Sequence, residues 1–174
     1  VLGNGAGSSF IGTTKIDIPL QMGTLSKAIG TYGGYLCASK PVIDLIKTRA
    51  RTLIYSTGLP PAVIGASIAA LEIIKQEPDL VQKPLKNAQL FTRLTNLPTA
   101  ESSIVPLILG GAERTLSASQ ELEKNGFLVT AIRPPTVPPK TARLRFAFTA
   151  GHKSIDIERL AAIVRRDILN EEDH

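Results

Sequence analysis

Residues 23–34 read Gly-Thr-Leu-Ser-Lys-Ala-Ile-Gly-Thr-Tyr-Gly-Gly. A single lysine, Lys27, stands among small residues, with hydroxyls three and one positions before it at Thr24 and Ser26. A lysine that is hemmed in and desolvated has a lowered pKa, and its neutral amine can attack a carbonyl. The two hydroxyls can donate to a phosphate anchored beside it, and the glycines leave room for a flat ring. That combination suits a lysine forming a Schiff base with pyridoxal 5'-phosphate. It also suits an exposed lysine in a glycine-rich loop, and the segment alone leaves both readings open.

Other chemistries are less well served. Gly5-Ala6-Gly7 lacks the third glycine of a dinucleotide fingerprint, and Lys27 lacks the flanking residues of a phosphate-binding P-loop. Gly65-Ala66-Ser67-Ile68-Ala69 approaches a nucleophile elbow but lies inside a helical pattern rather than between strand and helix. With 1 cysteine, Cys37, and 2 histidines, the chain has no disulfide framework and no metal-binding set, and His152 suits a surface or capping position. The formal charge is +5. Lys124, Arg133, Lys140, Arg143, Arg145 and Lys153 fall in a stretch without Asp or Glu, which attracts anions. That stretch carries no interleaved aromatics and no nucleic-acid reader motif, so small-molecule carboxylates and phosphates are the better partners. A solvated loop and a charged strand edge remain the plainer alternative.

The elements that must position these groups can be read from periodicity. The 174 residues are 43% hydrophobic and 20% charged, an ordinary globular balance with an aliphatic core, since there is no tryptophan. A chain of this length buries roughly 70% of its unfolded surface. Eight of the 14 glycines fall in residues 1–34, which therefore look like site-forming loop. Short strands are expected at Asp17–Met22 and Tyr35–Ala38, with a loop between them. A helix is expected over Pro41–Arg51 and a β-rich segment over Thr52–Ser56. Pro60-Pro61 opens a helix to about Gln76 that is apolar almost all round and so is expected to be buried. A more polar helix follows over Leu80–Leu94. Beyond Pro98 come a strand at Ile104–Leu109, a helix at Glu113–Lys124 stopped by Asn125-Gly126, and strands at Phe127–Ile132 and Arg143–Phe148. A final helix capped by Ser154 has an apolar stripe of Ile157, Leu160, Ala161, Val164 and Ile168. The β-α-β-β-α order after residue 98 is that of a small α+β layer. The longest apolar run, Val63–Leu71, is too short to span a bilayer, and the glycine-rich start is not a signal peptide, so a cytoplasmic location without membrane or nucleic-acid partners is expected.

Several segments together resemble the α-oxoamine synthase family of fold-type I pyridoxal-phosphate enzymes. They are V-L-G-N-G-A-G at 1–7, G-T-L-S-K-A-I-G at 23–30, Y-G-G-Y at 32–35, R-T-L-I-Y-S-T-G-L-P-P-A at 51–62, A-I-R-P-P-T-V-P at 131–138 and T-A-R-L-R at 141–145. They occur in the family's order along nearly the whole chain. The resemblance implies an α/β fold: residues 1–76 as the C-terminal part of the large cofactor domain, 77–97 as a linking helix, and 98–174 as the small C-terminal α+β domain. It implies a pyridoxal-phosphate-dependent acyltransferase in a homodimer with shared active sites. Lys27 would be the Schiff-base lysine and Thr24 a phosphate ligand. Ser56 and Thr57 would reach the phosphate of the neighbouring subunit's cofactor. Thr136 would touch substrate, and Arg145, with Arg133 second, would grip the amino-acid carboxylate; a structural ion pair is the alternative for either arginine. The A-I-R-P-P-T-V-P stretch points to the branch that joins L-alanine to a pimeloyl thioester, on coenzyme A or a carrier protein, in biotin biosynthesis. Glycine acetyltransferase and aminolevulinate synthase are the alternatives within the family, an aminotransferase outside it, and a non-catalytic fragment beside both. Family members carry a long N-terminal portion with an aromatic or histidine over the cofactor ring and an aspartate on its nitrogen. The resemblance therefore implies a C-terminal part, inactive alone.

Overall fold

The structure, a computed structural model, describes residues 16–169 and the backbone of Phe10–Ile11 and Thr14–Lys15. The motif at 1–7 lies outside the described residues. The chain divides into two compact units, Val1–Val81 and Gln82–His174.

In the first unit, β1 (Phe10–Ile11) pairs antiparallel with β2 (Thr14–Lys15). β3 (Gln21–Thr24) pairs antiparallel with β4 (Gly34–Cys37), in a register running from Gln21 opposite Cys37 to Thr24 opposite Gly34. The strand expected over Asp17–Met22 thus starts later and ends later. Pro19 cannot donate to a ladder, and pairing begins only once the chain is past it. The pairing also explains Gly23: a Cβ there would lie 2.5 Å from the ring of Tyr35, its cross-strand partner.

Helix α1 (Lys40–Arg49) carries Pro41 in its first turn as expected. The β-rich reading of Thr52–Ser56 is wrong: α2 (Arg51–Ile54) is a single helical turn. The Ala50 carbonyl accepts the amides of Leu53 and Ile54 at 3.0 and 2.9 Å, and this local closure overrides the weak strand preference of Thr52 and Ile54. α3 (Pro61–Gln76) has the predicted bounds but not the predicted burial. Ile64 and Ile68 are 46% and 58% exposed, because the described elements of this unit leave that side of the helix uncovered, while Val63, Ala70 and Ile74 are half-buried.

The second unit contains the hydrophobic core. The boundary falls within α4 (Pro78–Thr95), which ends where Asn96 takes a left-handed conformation, φ 56°, and the Leu97 amide returns to Thr92 O at 3.0 Å. β5 (Ile104–Gly110), β6 (Thr130–Ile132) and β7 (Ala142–Ala147) form an antiparallel sheet in the order β5-β7-β6. α5 (Ala112–Lys124) and α6 (Ser154–Val164) complete the β-α-β-β-α order read from the sequence, and a π-helical turn, Arg165–Leu169, follows. Phe91 of α4 is fully buried against Phe146 and Phe148, with ring centroids 4.7 and 5.3 Å apart. The stripe Ile157, Leu160, Ala161, Val164 and Ile168 is buried throughout, as its spacing predicts. Asn87 ties α4 to the turn after β7 by donating to Thr149 O and His152 O at 2.9 and 3.2 Å.

Two expectations shift here for backbone reasons. The strand expected over Phe127–Ile132 shortens to Thr130–Ile132. The amides of Gly126 and Phe127 close the end of α5 on Glu123 O and Leu122 O, and Ser119 Oγ takes Val129 O at 2.6 Å, so this stretch serves the helix and not the ladder. Ser154 is the first residue of α6, not its cap: the Lys153 carbonyl accepts from Asp156 and Ile157, and no side chain caps the helix.

Removing the Phe91 ring leaves a cavity in this core. Phe91→Ala is expected to lower the unfolding free energy by about 3–5 kcal/mol in urea denaturation, whereas Leu128→Ala, at a side chain 91% exposed, should stay within about 0.5 kcal/mol of the parent.

Candidate functional site

Lys27 lies three residues past the end of β3, in the loop that joins β3 to β4. The loop closes on itself through Leu25. Its amide donates to Gly33 O at 2.9 Å, and its carbonyl accepts the Thr31 amide at 2.9 Å. Within the loop, Gly30 N donates to Lys27 O at 2.9 Å. Gly30 and Gly33 turn the chain with φ of 71° and 109°, values that favour glycine. Gly33 also lies against Leu59: a Cβ there would be 3.0 Å from Leu59 Cδ2.

Thr24 and Ser26 are brought together as their spacing suggests. Their hydroxyl oxygens are 2.7 Å apart, Thr24 Oγ1 accepts the Ser26 amide at 3.2 Å, and it donates to Gly33 O at 3.3 Å. Yielding that longest bond frees one hydroxyl proton for an oxyanion. Lys27 itself is exposed, so the enclosure expected around its amine is not supplied by the described residues. No ion pair or hydrogen bond to a described residue involves the ε-amine. A Cβ on Gly30 would meet nothing within 4 Å, so the loop borders open space. An amine with no partner among the described residues, two hydroxyls bonded to each other earlier in the chain and that space fit a phosphorylated aldehyde such as pyridoxal phosphate.

Ser56 and Thr57 are exposed in the segment between α2 and α3, and Ser56 Oγ donates to Leu53 O at 2.9 Å. The same segment reaches the Lys27 loop through the Leu59–Gly33 contact.

The remaining candidates belong to the second unit. Arg133 follows the last residue of β6, and Thr136 N donates to Arg133 O at 3.0 Å across a turn containing the cis Pro134–Pro135 bond. Arg145 is exposed on the outward face of β7, opposite Thr130 on one side and Pro106 on the other. Among the described residues it has no carboxylate partner, so the ion-pair alternative is not realised for Arg145, nor for Arg133. Arg143 shares that face with Arg145, opposite Ile132 and Ile108, and its Nε donates to Thr141 O at 2.9 Å. It was not singled out as a site residue, although the Arg-Leu-Arg alternation places it beside Arg145. Lys124 does not join this group; it pairs with Glu121 on α5 at 3.2 Å. His152 serves the turn, its Nδ1 accepting the Thr149 amide. Among the described residues no cluster of His, Cys, Asp and Glu could hold a metal, and no helix is long and apolar enough to cross a membrane.

The loop geometry predicts unequal glycine substitutions. Gly33→Ala meets both a disfavoured φ and the Leu59 side chain and should cost roughly 2–3 kcal/mol of loop stability. Gly30→Ala carries only the backbone cost of about 1 kcal/mol. Amide exchange at Leu25 reads the difference.

The profile of the aminotransferase class I and II family matches residues 6–164. The chain is 63% identical over 164 residues to the 8-amino-7-oxononanoate synthase of Beijerinckia indica subsp. indica, an overlap covering 94% of this chain and 42% of that protein. It is 63% identical over 165 residues to the 8-amino-7-oxononanoate synthase of Methylocella silvestris, covering 95% of this chain and 47% of that one. The chain thus spans less than half the length of these curated relatives. Among solved structures, Sphingomonas wittichii serine palmitoyltransferase matches 85% of this chain and 39% of its own, with a TM-score of 0.79 at 23% identity. The 8-amino-7-oxononanoate synthase of Francisella tularensis matches 87% of this chain and 46% of its own, with a TM-score of 0.75 at 23% identity. At such identities the structural likeness is one of fold.

Proposed function

The chain belongs to the aminotransferase class I and II family, and from that premise we propose that it is the cofactor-lysine and substrate-carboxylate part of a pyridoxal-phosphate-dependent 8-amino-7-oxononanoate synthase. The proposed reaction joins L-alanine to a pimeloyl thioester, carried on coenzyme A or a carrier protein. A bond forms between the alanine Cα and the thioester carbonyl carbon, the thiol departs, and the alanine carboxylate is lost as carbon dioxide. The carrying observation is the Lys27 loop, in which a lysine with no side-chain partner among the described residues follows the hydrogen-bonded hydroxyls of Thr24 and Ser26 by three and one positions. The 63% identity to proteins of that name supports the choice of substrates.

Bound pyridoxal phosphate supplies an electron sink for the carbanion at the alanine Cα. Lys27 Nζ would hold the aldehyde end of the cofactor and would accept the Cα proton of alanine. Thr24 would donate to the phosphate, and Ser56 and Thr57 would extend to the phosphate at the neighbouring subunit, so that the proposed active unit is a homodimer, which we place in the cytoplasm. Arg145 grips the alanine carboxylate through two parallel N–H donors and so orients the bond that later breaks. Arg133 supports it, and Thr136 contacts the acyl substrate.

Two substitutions separate these roles. Lys27→Ala should abolish the visible absorbance of bound pyridoxal phosphate. Arg145→Ala should keep that absorbance but weaken alanine binding about ten- to hundred-fold. Equal loss of both in Arg145→Ala would remove the arginine from the carboxylate site. In the full-length protein, coenzyme A release when alanine and pimeloyl-CoA are added together supports the acyltransferase, and amino transfer dependent on 2-oxoglutarate without thiol release would replace it with an aminotransferase.

A further inference from the structure

Among the described residues of the first unit only Ser67 is buried, and it is polar. It is 8% exposed at the middle of α3, whose isoleucines Ile64 and Ile68 remain largely in solvent. A buried hydroxyl is tolerated only when bonded. Ser67 Oγ donates to Val63 O at 2.8 Å, and it lies 2.8 Å from Thr31 Oγ1. Each hydroxyl carries one proton. That of Ser67 is committed to the Val63 carbonyl, so Thr31 is the donor between the two. Leu25 O, 3.3 Å from Thr31 Oγ1, is then served by the Thr31 amide at 2.9 Å.

Thr31 therefore makes two connections at once. Its amide closes the neck of the Lys27 loop, and its hydroxyl fastens that neck to α3, 36 residues away in sequence. The backbone bonds within the loop fix its shape but not its attitude to the helix. Of its side-chain hydrogen bonds, the Thr31–Ser67 bond is the one that joins it to α3.

We propose that Thr31 and Ser67 are positioning residues, a latch that sets where the ε-amine of Lys27 stands; the proposal rests on the reading of Lys27 as the cofactor lysine. It is tested in the full chain with Thr31→Val, Ser67→Ala, the double variant and the conservative Thr31→Ser. Two readouts are followed: amide hydrogen exchange across 25–33, and the visible absorbance of added pyridoxal phosphate as a function of concentration and pH. Thr31→Val keeps the side-chain shape and removes the proton. It should speed exchange across the loop about five- to ten-fold, weaken pyridoxal phosphate binding by a similar factor, and move the pH midpoint of the band. Thr31→Ser should match the parent on every readout, and the double variant should be no worse than the worse single one, because both remove the same bond.

Exchange and binding unchanged in Thr31→Val overturn the latch alone. Exchange accelerated equally throughout α3 and the β3–β4 pair, with no rescue by Thr31→Ser, also overturns it, since that is loss of fold rather than of position. An unmodified chain that binds no pyridoxal phosphate at Lys27 overturns the cofactor reading, and with it the positioning role.

Discussion

Leu25 holds the site in shape from both ends of its peptide unit. Its amide reaches Gly33 and its carbonyl receives Thr31, so nine residues close into a loop whose tip presents Lys27. Every functional feature of the first unit depends on that closure. It places Thr24 and Ser26 at the root of the loop with their oxygens together. It turns Gly33 against Leu59 and so joins the loop to the segment that carries Ser56 and Thr57. Without the left-handed turns at Gly30 and Gly33 the neck could not form at acceptable cost.

The two units are stabilised differently. The second has an aliphatic and aromatic core in which Phe91, Leu122, Leu144, Ile157 and Val164 are almost fully buried. That core fixes the outward face of β7, where Arg143 and Arg145 alternate with buried Leu144 and Phe146. The first unit has strand pairing, turns and hydrogen bonds, but Ile64, Ile68, Leu71 and Ile73 on α3 stay exposed, while Val63, Ala70 and Ile74 are half-buried. Its functional loop is held chiefly by polar bonds, with the Gly33–Leu59 contact beside them.

That difference explains what the sequence revealed. In the second unit the periodic stripe of α6 predicted burial residue by residue, because that face is covered by elements of the same unit. In the first unit the pattern of α3 predicted the helix and its ends but not its exposure. An apolar pattern records the surroundings a helix is suited to, and the described residues do not supply them. Local closures were hidden as well. The turn at α2 rests on one carbonyl at Ala50, and the shortening of β6 rests on the helix-end bonds of Gly126 and Phe127. Neither has a periodic signature. The placing of Thr24, Ser26 and Lys27 on one loop was legible from their spacing of three and one; the tie from Thr31 to Ser67 was not, because it spans 36 residues and joins two small hydroxyls that alone resemble ordinary loop and helix surface.

Borohydride reduction in the presence of pyridoxal phosphate, followed by mass-spectrometric mapping of the pyridoxyl group, tests the central assignment most directly. The label is expected on the peptide that contains Lys27, in preference to exposed lysines such as Lys40, Lys75 and Lys124. A label distributed over those surface lysines, with none favoured at position 27, would contradict it.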